Sequence, residues 1–221
     1  DDTYVNNGKW KKYKGYCTDV FFEESMSFMR QAARQGKPFL SIIMPNTPHG
    51  PLVAKDKDEA AIKKILDQPE FDDIDTAMKV RLADYLGMIL NIDENMGAMM
   101  KFLADEGIKD DTIVIFQTDN GSTHGPSYYN AGMRGGKTEL WEGGHRVPCF
   151  ISWPNGGLLE PQDIQGLTQV QDMLPTLLDL CNIPNDAKFD GMSLASILKG
   201  KAVVPKDRML VINYSRMPSF V

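Results

Sequence analysis

The stretch Thr112-Ile113-Val114-Ile115-Phe116-Gln117-Thr118-Asp119-Asn120-Gly121 sets the fold class of this chain. Up to Thr118, only Gln117 is neither β-branched nor aromatic, which is the composition of a strand. Asp119-Asn120-Gly121 then breaks it with a turn sequence. Just upstream, Met78, Leu82, Tyr85, Ile89, Ile92, Met96, Met99 and Phe102/Leu103 recur at alternating gaps of four and three. That spacing predicts one apolar stripe on a long helix over 72–107, with Gly107 at its C-cap. A single such helix followed directly by a strand points to packing on a sheet rather than to a coiled coil.

Working outward, Phe39-Leu40-Ser41-Ile42-Ile43-Met44 has the apolar continuity of a buried strand. Phe150-Ile151-Ser152-Trp153 and Met209-Leu210-Val211-Ile212 are two further strands by the same signs. Helices are expected at 21–35, where Phe22, Met26, Met29 and Ala33 share a face before Gly36, at 170–180 and at 193–198. Residues 1–19 show no periodicity and are expected to be loop. Apolar strands alternating with amphipathic helices make an α/β protein with a mainly parallel sheet flanked by helices. In such sheets ligands gather in the loops beyond the strand C-termini, here the loops after Met44 and after Thr118.

Acidic residues outnumber basic ones, 30 to 24, for a net charge of −6, which speaks against a nucleic-acid-binding surface. The one basic cluster, Lys9-Trp10-Lys11-Lys12-Tyr13-Lys14, fits a solvated loop. Cys17, Cys149 and Cys181 form no C-x-x-C pair, so no zinc ribbon or redox motif is present. Cys149 and Cys181 stand in apolar runs and are expected to be buried. No apolar run approaches the roughly 18 residues of a membrane span, and Asp1-Asp2-Thr3 does not open a signal peptide.

All three histidines lie in Gly/Pro-rich loops rather than on apolar faces. His49 follows the 39–44 run, His124 follows the 112–118 strand, and His145 lies in Glu142-Gly143-Gly144-His145-Arg146. Asp119-Asn120 is open to two readings: a tight turn, or a carboxylate and an amide oxygen suited to part of a hard-cation shell. Arg134-Gly135-Gly136-Lys137 places glycines before a lysine, so the backbone can approach a ligand and aim the ammonium. The spacing is not that of a nucleotide P-loop.

At these residues the sequence resembles the sulfatase family of the alkaline-phosphatase-like fold. The matching stretches run in the family's order over nearly the whole chain. They include Gly15-Tyr16-Cys17-Thr18-Asp19-Val20, Pro48-His49-Gly50-Pro51, Ile92-Asp93-Glu94-Asn95 and Thr118-Asp119-Asn120-Gly121. Arg134-Gly135-Gly136-Lys137, Glu142-Gly143-Gly144-His145-Arg146-Val147-Pro148, Trp153-Pro154, the 172–180 helix and Asp190-Gly191-Met192-Ser193-Leu194 complete the series.

The resemblance implies hydrolysis of sulfate monoesters, of a sulfated small molecule or glycan, by a formylglycine nucleophile beside a bound Ca²⁺. By position, Asp119 and Asn120 match two metal ligands, Lys137 matches the sulfate-contacting lysine, and His49 matches the histidine at the leaving-group oxygen. His124 and His145 carry over as rim or substrate contacts. The family's Cys/Ser-x-Pro-x-Arg segment does not occur in this sequence, so the resemblance implies a piece lacking the nucleophile and inactive alone. Residues 1–204 would then be part of the catalytic domain and 205–221 the start of a C-terminal subdomain. A secreted, periplasmic or lysosomal setting is implied, with the chain completed by the missing N-terminal part of the same protein or self-associating. A phosphatase or phosphonate/phosphodiester hydrolase of the same fold, and a non-catalytic calcium- or carbohydrate-binding module, remain alternatives.

Overall fold

The computed structural model describes residues 2–211, and the chain divides between Lys109 and Asp110 into two compact units. The first begins where a loop is expected, with an antiparallel hairpin of β1 (Asp2–Asn6) and β2 (Lys9–Tyr13) in the register Asp2↔Tyr13 to Asn6↔Lys9. The cause is local: Asn7 and Gly8 both take the left-handed backbone, φ 48° and 77°, that a tight two-residue hairpin turn requires. The hairpin sits on α1 (Cys17–Arg34) through Tyr4 against Phe21, ring centroids 5.2 Å apart.

The long helix is present as α3 (Thr76–Asp105). Asp75 caps it, accepting from the Met78 backbone amide at 2.9 Å. Packed along it is α2 (Asp56–Leu66), unanticipated from the sequence. This helix carries Asp56, Asp58 and Glu59 in its first turn and Lys63 and Lys64 in its last, the arrangement that complements a helix dipole. Leu66, Leu82 and Ala83 form the core between the two, with Ile62, Phe71, Ile74, Met78 and Leu86 packed around them. At Gly87 a Cβ would lie 2.8 Å from Ala54 Cβ and 3.2 Å from the Glu59 amide, so only glycine lets α2 start this close to α3.

In the middle of α3 the buried face departs from the expected stripe. Ile89 is exposed, whereas Asn91 and Asn95 are buried beside Met88 and Met99. An ideal helix drifts relative to a regular four-three repeat, and here the face that turns inward is polar because it bonds Asp19. The 39–44 run is extended but joins no ladder among the described residues, and Leu40, Ile42 and Met44 are 71%, 68% and 78% exposed. Its apolar residues therefore have no sheet to enter within those residues.

In the second unit β3 (Val114–Gln117) pairs with β4 (Cys149–Ser152) in the register Val114↔Ser152 to Gln117↔Cys149. The pair is antiparallel, because the segment between them carries no crossover helix long enough to return the chain for a parallel pairing. The parallel pairing expected from the sequence does not occur among the described residues. Cys149 and Cys181 are exposed, against expectation. A four-residue strand pair covers neither face of itself, and Cys181 falls just past a helix end.

Between β3 and β4 lies the one-turn helix α4 (Glu142–His145). Beyond β4 come α5 (Met173–Leu180) and α6 (Ala195–Leu198). Leu194, Ile197 and Val204 make the core there, with Met173, Met192 and Leu198. Buried Asp172 anchors this part: both carboxylate oxygens accept from Arg208, and each also accepts one backbone amide, Gln169 or Met192. Of the fourth expected strand, residues 209–211 join no ladder and Ile212 lies outside the described residues.

Candidate active site

Three glycine-rich segments of the second unit interlock just past the end of β3. Gly121 N–H donates to the Gly144 carbonyl at 3.0 Å and Lys137 N–H to the Ser122 carbonyl at 3.0 Å. Gly143 N–H donates to the Arg134 carbonyl at 2.8 Å. The glycines are required by space. A Cβ on Gly121 would overlap the Gly143 carbonyl, and one on Gly143 would overlap the Gly135 carbonyl and stand 2.7 Å from Asn130 Nδ2. Gly135 also needs its left-handed φ of 74°.

Asn130, which the sequence does not single out, ties the knot from the side by donating to the carbonyls of Met133 and Gly135, both at 2.7 Å. Ser122 Oγ accepts from the amides of His124 and Gly125 at 3.0 and 2.7 Å and turns the chain after Gly121. Arg134 stacks on the Trp141 ring, 3.4 Å from its centroid.

The knot brings Asp119, Asn120 and Lys137 onto one set of joined loops. Asp119 is exposed and Asn120 half-buried. Lys137 is half-buried and makes no ion pair or hydrogen bond with its ammonium among the described residues. His124 is half-buried in the same loop, and His145, exposed at the end of α4, follows Gly144 directly. The group has one element of an anion site: a lysine whose backbone is fixed by its amide bond to the Ser122 carbonyl, on a loop held by glycines.

For a metal, the chemistry of the donors fits Ca²⁺ but their number does not. Asp119 and Asn120 offer two hard oxygens where the ion takes six to eight. Among the described residues no group of three or more His, Cys, Asp or Glu side chains could hold a metal. No chemical step is therefore derived through one.

His49 belongs to the first unit, in the loop that follows the 39–44 run. It is exposed, and its Nδ1 lies 2.7 Å from the Gly50 carbonyl, which in the tautomer donating that bond leaves Nε2 to solvent. The peptides before Pro48 and Pro51 are both cis. Polar contacts hold this loop along its length: Thr18 Oγ1 to Thr47 Oγ1 at 2.7 Å, Tyr16 hydroxyl to the Val53 carbonyl at 2.8 Å, and Lys55 paired with Asp19.

Asp19 also accepts from Asn91 and Asn95, each at 2.8 Å. Burial pushes its carboxyl up, but the bonds from Asn95, Lys55 and Asn91 outweigh that and hold it below the usual carboxylate range. Asp19, Lys55, Asn91 and Asn95 are thus the supports of the His49 loop. The sequence marked Asp19 and Asn95 only as members of family-matching stretches, and Asn91 beside the apolar stripe not at all.

The Sulfatase family model matches residues 1–183. The chain belongs to the sulfatase family. It is 29% identical over 194 residues to the uncharacterized sulfatase YdeN of Escherichia coli K12, covering 85% of this chain and 32% of YdeN. To the ulvan-active sulfatase of Formosa agariphila it is 25% identical, over 95% of this chain and 42% of that protein. Among solved structures, Ps i-CgsB in complex with k-i-k-neocarrahexaose superposes with a TM-score of 0.73 at 27% identity, over 89% of this chain and 41% of that one. This sulfatase chain therefore spans about a third to two-fifths of the length of these relatives, and its α/β fold is that of the family's alkaline-phosphatase-like domain. No helix among the described residues is long and apolar enough to cross a membrane.

Proposed function

We propose that the protein to which this sulfatase chain belongs hydrolyses sulfate monoesters of a carbohydrate, and that Lys137 receives the sulfuryl group. The observation that carries this reading is the glycine knot, which fixes the Lys137 backbone beside Ser122, just beyond Asp119 and Asn120, with its ammonium paired to no carboxylate among the described residues. A compact cation stabilises negative charge developing on the sulfuryl oxygens. His49, with Nδ1–H on the Gly50 carbonyl and Nε2 facing solvent, gives a proton from Nε2 to the departing alkoxide when its ring is protonated at both nitrogens, and is left as the neutral imidazole. Asp119 and Asn120 would offer two oxygens to a Ca²⁺ ion, which would supply charge stabilisation at the sulfuryl oxygens, and His124 and His145 would line the rim toward the sugar.

The nucleophile, a formylglycine, is likewise outside this sequence, so the 221-residue chain by itself should not turn over. A carbohydrate is favoured as substrate because the chain is similar to an ulvan-active sulfatase and to a structure holding a carrageenan oligosaccharide. A secreted or periplasmic setting follows from such a substrate.

The test is sulfate release by the complete protein from sulfated oligosaccharides and from 4-nitrophenyl sulfate. Lys137→Ala should lower kcat/KM by about 10²–10³, the loss typical of one transition-state charge donor. Release of phosphate rather than sulfate, or an unchanged kcat/KM in Lys137→Ala, would overturn the reading. So would turnover by the 221-residue chain alone.

A further inference from the structure

The basic run Lys9-Trp10-Lys11-Lys12-Tyr13-Lys14, expected as loop, is strand β2 with one residue beyond it. Alternation along a strand divides its side chains between two faces. Lys11 and Tyr13 share a face with Tyr4 and Asn6, and that face is satisfied against α1. There Asn6 Nδ2 and Lys11 Nζ each reach Glu24 at 3.1 Å, and Tyr4 packs on Phe21. Trp10 and Lys12 share the opposite face with their cross-strand partners Val5 and Thr3. This outward face meets solvent: Trp10 is 76% exposed and Val5 55%. Lys9, Lys12 and Lys14 are exposed and make no ion pair among the described residues. Beside the turn, Asn6, Asn7, Lys9, Trp10 and Lys11 line an open hollow of about 580 Å³.

We propose that this outward face of the hairpin binds a sulfated polysaccharide. Trp10 has no role in the core, and its ring offers an electron-rich face to the polarised C–H face of a sugar. Lys12 lies on the same side of the sheet about 7 Å along the strand, with Lys14 following just past its end, whereas Lys9, opposite Asn6, belongs to the other face. Lysine ammonium groups are compact point charges of the kind that pair with sulfate esters. The chain carries a net −6, so a polyanion is repelled by the protein as a whole and drawn to this patch. A membrane surface fits less well, since interfacial segments present several large apolar residues and this face has only Trp10 and Val5. The inference uses no part of the Lys137 site and stands whether or not that site hydrolyses sulfate.

The experiment is affinity electrophoresis of the 221-residue chain through gels containing ι-carrageenan, with agarose alone as the uncharged control. Retardation should occur only with ι-carrageenan. Trp10→Ala and the pair Lys12→Gln/Lys14→Gln should each weaken it about three- to fivefold, the size of one exposed aromatic or cationic contact. Trp10→Phe should retain most of the binding and Lys101→Gln, an exposed lysine of α3, nearly all of it. Trp10, Lys12 and Lys14 are exposed, so these variants leave the α1-facing side of the hairpin unchanged. Wild-type behaviour of both hairpin variants, or an equal loss of retardation in Lys101→Gln, overturns the proposal. Tighter binding to anionic phosphatidylglycerol vesicles or to single-stranded oligothymidylate than to ι-carrageenan overturns it as well.

Discussion

Replacing Asp172 by Asn puts the internal support of the second unit to the test. Asp172 is fully buried, and its carboxylate receives four hydrogen bonds: Arg208 Nη1 and Nη2 at 2.9 and 2.6 Å, and the amides of Gln169 and Met192, both at 2.9 Å. Every partner is a donor. Asp172→Asn keeps the shape, removes the charge and turns one acceptor into an NH₂ that faces two donors. It also leaves the Arg208 guanidinium, with a side chain only 11% exposed, without its counter-charge. Breaking a buried pair from one side in this way costs about 3–5 kcal/mol.

The assay is urea unfolding of the 221-residue chain at pH 7, in a cycle with Arg208→Met and the double variant. Arg208→Met alone leaves the carboxylate its two amide donors, so it should cost less, and the double variant should fall short of the sum of the singles. The pH dependence has a definite sign. Burial raises the Asp172 carboxyl, but the bonds from Arg208, Gln169 and Met192 outweigh burial and hold it below the usual range. A depressed folded-state value means stability that is fully present above the unfolded value of about 3.9 and lost as pH falls through the lower folded value. Asp172→Asn should abolish that acid-side loss. A variant within about 1 kcal/mol of wild type, or strict additivity in the cycle, would refute the argument.

Two further changes probe the supports of the candidate site. Gly143→Ala should destabilise the second unit by about 1–3 kcal/mol of overpacking, because the new Cβ meets Gly135 O and Asn130 Nδ2. Faster amide exchange at Gly143 and Lys137 would localise the damage, and unchanged exchange at both would count against an interlocked knot. Asp19→Ala removes three hydrogen bonds and should cost about 2–3 kcal/mol at about 1 kcal/mol each. Because the Asp19 carboxyl is also held low, the difference in Tm from wild type should be full at pH 7 and shrink toward pH 3. A gap that does not change with pH would mean that charge is not what Asp19 contributes.

The extent to which the sequence disclosed this structure follows the range of the interactions involved. α3 was legible because its signal is local and long, with an apolar stripe closed by Gly107, and β3 and β4 were legible as short apolar runs. The loops that carry Asp119, Asn120 and Lys137 were legible because glycines mark places where backbone meets backbone, and the knot uses them for that purpose. The hairpin was missed although Asn7-Gly8 between two alternating segments is a strong turn signal; the density of lysines in β2 hid the alternation. α2 was missed because its signal is the charge asymmetry of its two ends more than its periodicity. The supports of the His49 loop were not legible as a group, although Asp19 and Asn95 stand in stretches that match the family, because no local pattern joins them. The burial of Asn91 and Asn95 has meaning only once Asp19, more than seventy positions away, is placed between them.

The 39–44 run shows the other side of that dependence. Its composition demands burial, yet Leu40, Ile42 and Met44 stand in solvent. A row of alternate apolar side chains on an extended backbone is half of an interaction: the strand acquires its ladder only from a neighbour. The run leads directly into the loop of His49, the proposed proton donor, and that loop is held from its far side by Asp19, Lys55 and the first turn of α1. Pairing of 39–44 with a strand outside the described residues would fix the near side of the same loop. The position of His49 would then depend on a completed sheet, while the Lys137 knot closes entirely on residues of its own unit. In a partly unfolded chain, therefore, an anion site built on Lys137 should outlast proton donation by His49.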